Sequence, residues 1–197
     1  MKQITEYVKQ ASNFSFPRVV NEYLSTKIQQ QKPTIVVTNK TIRETIWQEI
    51  EKYGLDADLN HIDTSEVTDM ESLFDSTMYW NYSNKTVRNI VKSFKDFNGD
   101  ISKWDVSNVE NMRSMFRGCK RFNCDLSKWD VSNVRNMSSM FEGCSNFDAY
   151  GLENWDKKSL IENSDRNMFS GCLKLERDKS SDDPTTWEVG DILAGTY

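Results

Sequence analysis

Residues Phe97-Asn98-Gly99-Asp100-Ile101-Ser102-Lys103-Trp104-Asp105-Val106-Ser107-Asn108-Val109 return 25 positions later as Phe122-Asn123-Cys124-Asp125-Leu126-Ser127-Lys128-Trp129-Asp130-Val131-Ser132-Asn133-Val134. A near-identical unit at that period constrains the fold more than any other feature of the chain. One such unit cannot bury its apolar face alone, so neighbouring copies must stack and share a continuous core. Long ordered surfaces follow from such stacking, and binding is the first functional expectation.

The unit extends beyond its clearest part. Met112, Met115 and Phe116 recur as Met137, Met140 and Phe141, each set followed by x-Gly-Cys. A degenerate earlier copy runs from Leu59 to Met70 and ends in Leu73-Phe74. A later copy keeps Leu152, Trp155, Asp156, Met168, Phe169, Gly171 and Cys172, stretched by three residues between Trp155 and the Met-Phe pair. About four coils are therefore expected, with 17 residues inserted after Phe74, because Ile62 and Trp104 stand 42 positions apart where one period is 25. Within a coil, the spacing of Leu126, Trp129 and Val131 predicts a strand with Ser127, Lys128 and Asp130 facing out. Val134, Met137, Met140 and Phe141 predict a helical or 3₁₀ return leg, with Ser107 and Ser132 as its N-caps.

These residues carry a resemblance. The unit F-N-x-D-[IL]-S-K-W-D-V-S-N-V-x-N-M-x-S-M-F-x-G-C resembles the BspA-like leucine-rich-repeat family over about residues 58–172. That family is common in bacterial surface proteins and lipoproteins and occurs in phage and protist proteins. The resemblance implies an α/β fold, a leucine-rich-repeat-like right-handed solenoid, with adhesion or protein binding and no catalysis. The first residues, Met1 to Ala11, resemble short amphipathic leaders of tailed-phage proteins, which adds a phage-encoded member to the expectations.

Outside the repeats, residues 1–57 read as a helical N-terminal cap and 173–197 as a C-terminal cap or tail. In the first segment Pro17 opens a helix bearing Val19, Val20, Tyr23, Leu24 and Ile28 on one face. Thr34–Thr38 reads as a short strand. Thr41-Ile42-Arg43-Glu44 has the capping-box form, opening a helix with Ile42, Ile46, Trp47 and Ile50 on one side and Gly54 at its stop. The cap is expected to cover the open apolar end of the first coil.

Charge and motif content narrow the function. The net charge of −5 divides into +2 over residues 1–57 and −7 over the remainder, so the repeats lack the clustered positive surface that nucleic-acid binding needs. The start Met1-Lys2-Gln3-Ile4 lacks an apolar signal core and no stretch is long enough to span a bilayer, which favours a cytoplasmic protein or one assembled inside a particle. Cys119, Cys144 and Cys172 follow the repeat rather than a C-x-x-C ligand spacing, so small, buried, reduced side chains are expected there, with Cys124 in place of Gly99. His61, the one histidine, is expected to face solvent from a strand. Asp63, Asp105, Asp130 and Asp156 form a column that invites calcium, but Asp-x-Ser favours an Asx turn. No cofactor, metal site or catalytic residue is predicted.

The insertion, about residues 75–96, is the candidate contact site. It carries Tyr79, Trp80 and Tyr82, then Asn84 as N-cap of a helix over 85–95 with Val87, Ile90, Val91 and Phe94 on one face and Lys85, Arg88, Lys92 and Lys95 on another. Tyr, Trp and Arg dominate interfaces. The expectation is a non-enzymatic protein–protein interaction module centred on Tyr79, Trp80, Tyr82, Arg88 and Lys92, with Lys103, Asp105, Lys128 and Asp130 at its rim. Three further readings stay open: a virion or assembly component, an inhibitor of a host defence protein, and a surface adhesin-like protein.

Overall fold

The repeats lie side by side with equivalent residues in register. In the computed structural model, which describes residues 32–178, the units span residues 59–77, 97–119, 122–144 and 147–172. Parallel bridges join Asp58 to Asp100, Asp69 to Asn111 and Asn111 to Asn136. Two columns of phenylalanine run through the core. Phe74, Phe116, Phe141 and Phe169 succeed one another at 5.5, 5.5 and 5.7 Å between ring centroids. Phe97, Phe122 and Phe147 form the second column, at 5.9 Å per step. Where one unit passes into the next, a ring of the first column stacks on a ring of the second, centroids 4.1–4.2 Å apart and planes nearly parallel.

The backbone pairs along the Met-x-Ser-Met-Phe leg. The N–H groups of Met112, Ser114, Phe116 and Gly118 donate to the carbonyls of Asn136, Ser138, Met140 and Glu142 at 2.7–2.9 Å. The same alternation joins Met70–Ser76 to residues 111–117, and Met137–Gly143 to residues 164–170. Its register needs a left-handed residue at one fixed place, occupied by Ser72, Ser114, Ser139 and Asn167 at φ of 52–59°. The leg predicted to be helical is thus where the inter-repeat backbone ladder runs.

The predicted strand over Leu126–Val131 is instead a chain of tight turns. Leu126, Trp129, Val131 and Val134 are buried as expected, but Trp129 and Val134 donate back to Leu126 and Val131, three residues behind. The carbonyls of Leu59, Ile101 and Leu126 then receive the indole N–H of Trp104, Trp129 and Trp155 from the next unit, at 3.0–3.2 Å. Tryptophan takes the place of a backbone ladder on this side. The first unit has Ile62 where the others have Trp, and here the chain does extend, as β2 (Ile62–Glu66).

Strand β2 pairs in parallel with β1 (Ile35–Thr38), and these are the two strands among the described residues. Helix α1 (Ile42–Tyr53) follows β1 and ends at Gly54, whose φ of 87° suits a residue without a Cβ. The capping box is not formed: the Thr41 hydroxyl accepts the N–H of Thr38 instead. Ile42, Ile46 and Ile50 are buried, as predicted. The predicted helix from Pro17 and the leader-like start lie outside the described residues.

The insertion lies between Phe74 and Phe97. Phe74 and Phe97 are 23 positions apart, whereas Phe116 and Phe122 are 6, so 17 residues are added here. They form a 3₁₀ turn (Tyr79–Asn81), helix α2 (Lys85–Ser93) and a second 3₁₀ turn (Phe94–Asp96). The fourth unit corrects a detail. Phe122 and Phe147 are 25 apart, Trp129 and Trp155 are 26, and Phe141 and Phe169 are 28. One extra residue therefore precedes Leu152, where Gly151 turns left-handed before a 3₁₀ turn, and two follow Trp155. Helix α3 (Leu173–Asp178) closes the described chain.

Candidate functional site

Asn84 nucleates α2 as the sequence predicts, its side-chain oxygen accepting the N–H of Thr86 at 2.8 Å and of Val87 at 3.2 Å. The apolar face then turns inward. Val91 and Phe94 are buried, with Phe94 edge-on to Phe74 at 5.6 Å, while Val87 and Ile90 are half-buried against the same core.

The insertion's aromatic and basic residues pair off. Tyr82 meets Trp47 of α1 edge-on, 5.5 Å between centroids and 87° between planes. Its carbonyl accepts Nε and Nη2 of Arg88 at 3.0 and 2.9 Å. Lys92 Nζ stands 5.7 Å from the centre of the Tyr79 ring, within cation–π range. Tyr79 and Tyr82 are half-buried, while Arg88 and Lys92 are exposed. The side chain of Trp80 lies outside the described part of the structure. Lys103, Asp105, Lys128 and Asp130 are exposed on the turns of the second and third units. Among the described residues none of these four makes a hydrogen bond or ion pair to the insertion.

The aspartate column is built of Asx turns. Asp63, Asp105, Asp130 and Asp156 each accept the N–H two residues on, at 3.0–3.1 Å. Hydrogen bonds from the Ser65 and Ser132 hydroxyls and N–H groups hold the Asp63 and Asp130 carboxyls below the usual range. Cys119, Cys144 and Cys172 are buried thiols outside any disulfide, and they donate to the carbonyls of Phe74, Phe116 and Phe141. Burial pushes the Cys119 and Cys144 thiols well up and Cys124 to about 11, so these three are not poised as thiolates.

His61 differs from expectation. It sits on the turn before β2, its side chain 9% exposed, with Nε2 2.7 Å from Glu49 Oε2. Sequence reasoning placed it with Lys103 and Lys128, which face solvent, but α1 covers the first unit on that side and supplies the carboxylate.

A feature the sequence did not reveal lies between α1, the first unit and the insertion. Arg43 of α1 donates from Nη1 to the Ser72 carbonyl and from Nη2 to the Glu71 carbonyl, at 2.9 and 2.8 Å. Beside it is a cavity of about 400 Å³. Its polar wall includes Asp69, Glu71 and Asp75, its apolar wall Met78, Tyr82 and Phe94. Asp75 is 2% exposed, and burial raises its carboxyl above the usual range against two hydrogen bonds from Thr77.

Among the described residues no group of three or more His, Cys, Asp or Glu could hold a metal ion, and no helix is long and apolar enough to cross a membrane. No curated protein and no solved structure matches the chain. One family does, over residues 40–87 and 78–183, the span that holds α1, the four units and the insertion. The chain belongs to the family described as Mycoplasma protein of unknown function, DUF285.

Proposed function

We propose that this chain is a non-enzymatic binding module, a BspA-like, leucine-rich-repeat-like right-handed solenoid of about four coils that engages another protein in the cytoplasm. One observation carries the reading. The 17-residue insertion is anchored through Val91 and Phe94 yet leaves Arg88 and Lys92 exposed beside half-buried Tyr79 and Tyr82. Ordering a backbone costs about 1–2 kcal/mol per residue, and an anchored, aromatic and basic segment is suited to serve as the centre of an interface. Lys103, Asp105, Lys128 and Asp130 form its rim. The one histidine is tied to Glu49 and three of the four cysteines point into the core, which supports binding over nucleophilic chemistry. The tailed-phage-like start supports a phage-encoded member, whose partner would be a host or viral protein.

The test is crosslinking in the native cell followed by reconstitution with the purified partner. Arg88→Ala with Lys92→Ala should weaken binding by about tenfold or more, while Lys128→Ala should matter little above about 0.1 M salt. Normal binding by the double variant would move the interface away from the insertion.

A further inference from the structure

The first unit has unused acceptors. Asn111, Met115 and Arg117 each accept an N–H from the preceding unit through their carbonyls, but the equivalent carbonyls of Asp69, Leu73 and Asp75 accept nothing among the described residues. Leu73 and Asp75 are 1% and 2% exposed and line the cavity, and a buried carbonyl left unpaired costs about 1–3 kcal/mol. A preceding unit would have covered this edge. In its place stand α1 and the insertion, and between them is the cavity of about 400 Å³, a volume in the range of ligand sites.

The cavity's chemistry is one-sided. Its polar wall holds the open carbonyls and three carboxylates, of which Glu71 already faces Arg113 at 4.0 Å and accepts Nδ2 of Asn111, leaving Asp69 and Asp75. The one cation lining it, Arg43, already spends Nη1 and Nη2 on the carbonyls of Ser72 and Glu71. An occupant must therefore bring N–H donors and positive charge. Val91, Phe94, Met78 and Tyr82 supply an apolar wall suited to a methylene stem. Arg43 is itself the precedent, a guanidinium from another element seated on one carbonyl of this row, that of Glu71, and on its neighbour Ser72.

We propose that this cavity receives an arginine side chain presented by an extended segment of the partner protein. The guanidinium would donate to the open carbonyls and face the Asp69 and Asp75 carboxylates, a charge-assisted arrangement. Planar donors suit a row of carbonyls better than a lysine ammonium does. The inference rests on the binding-module reading and specifies what that partner carries.

The test titrates the full chain with the acetylated, amidated tripeptide Gly-Arg-Gly and its citrulline counterpart, following amide resonances by NMR. Citrulline keeps the shape and removes the charge. Saturable shifts at residues 69–75 are expected with arginine, and binding at least about tenfold weaker with citrulline. Asp69→Asn with Asp75→Asn should weaken the arginine peptide at least about fivefold, and Met78→Lys, which places an ammonium in the cavity, should abolish its binding in a protein that still folds. Equal binding of the two peptides, or no shift at residues 69–75 up to about 20 mM peptide, would overturn the inference. Partner capture left intact by Met78→Lys would also overturn it, while leaving the binding-module reading in place.

Discussion

Trp129 fills the core with its ring and replaces a backbone ladder with its indole N–H. It is 4% exposed, stacks on Trp155 at 6.4 Å and donates to the Ile101 carbonyl at 3.2 Å. Trp129→Ala should cost roughly 3–5 kcal/mol. Trp129→Phe isolates the other role: it keeps most of the packing but removes one of the two donors to the Ile101 carbonyl, which keeps the Trp104 N–H, at about 0.5–1.5 kcal/mol. Urea melts that find less than about 1 kcal/mol for the alanine variant would remove this residue from the core. The aspartates act at the same scale. Serine donors hold the Asp63, Asp125 and Asp130 carboxyls low, so their folded values lie below the unfolded value of about 3.9. That sign places their stabilisation above about pH 4 and removes it as pH falls through the depressed values. Acid titration followed by circular dichroism should find stability falling below pH 4, and less steeply in Asp63→Asn with Asp130→Asn.

At the scale of elements, what was legible depended on whether local pattern or a neighbour decides. Helix α2 was legible because Asn84 and the stripe of Val87, Ile90, Val91 and Phe94 suffice to define it. Asn84→Ala should destabilise it by about 1 kcal/mol, read as faster amide exchange at Thr86 and Val87 with the repeats unaffected. The Leu126–Val131 leg was not legible as turns. Its apolar steps of three and two satisfy a strand reading, and only the indole arriving from the next unit shows that its carbonyls are taken. His61 was misplaced for a similar reason, since α1 and Glu49 decide its burial. Arg43 lay outside sequence reasoning altogether: nothing local marks a helix arginine as the residue that reaches an unpaired row of carbonyls.

For the whole molecule, stability is shared among units whose contacts repeat. The thiols of Cys119, Cys144 and Cys172 sit at equivalent places in successive units, each donating to a carbonyl of its neighbour. Thiol titration of protein denatured without reductant should find four, and a value of two would contradict this arrangement. Arg43→Met removes the guanidinium that joins α1 to the first unit, and it should lower the thermal midpoint by a few degrees through loss of two charge-assisted hydrogen bonds.

The ladder along the Met-x-Ser-Met-Phe leg has a direction. Each unit's N–H groups there donate to the unit that follows, and in the last unit those of Asp165, Asn167, Phe169 and Gly171 donate to nothing among the described residues. Any segment of 25 residues cut at equivalent positions therefore carries one complete set of donors and one complete set of acceptors. A tandem duplication of residues 122–146 would create only junctions that the chain already contains, leaving α1 and the insertion at one end and α3 at the other untouched. Gene-level copying is in this sense a conformationally neutral operation, and the near-identity of residues 97–109 and 122–134 is the trace such an event would leave.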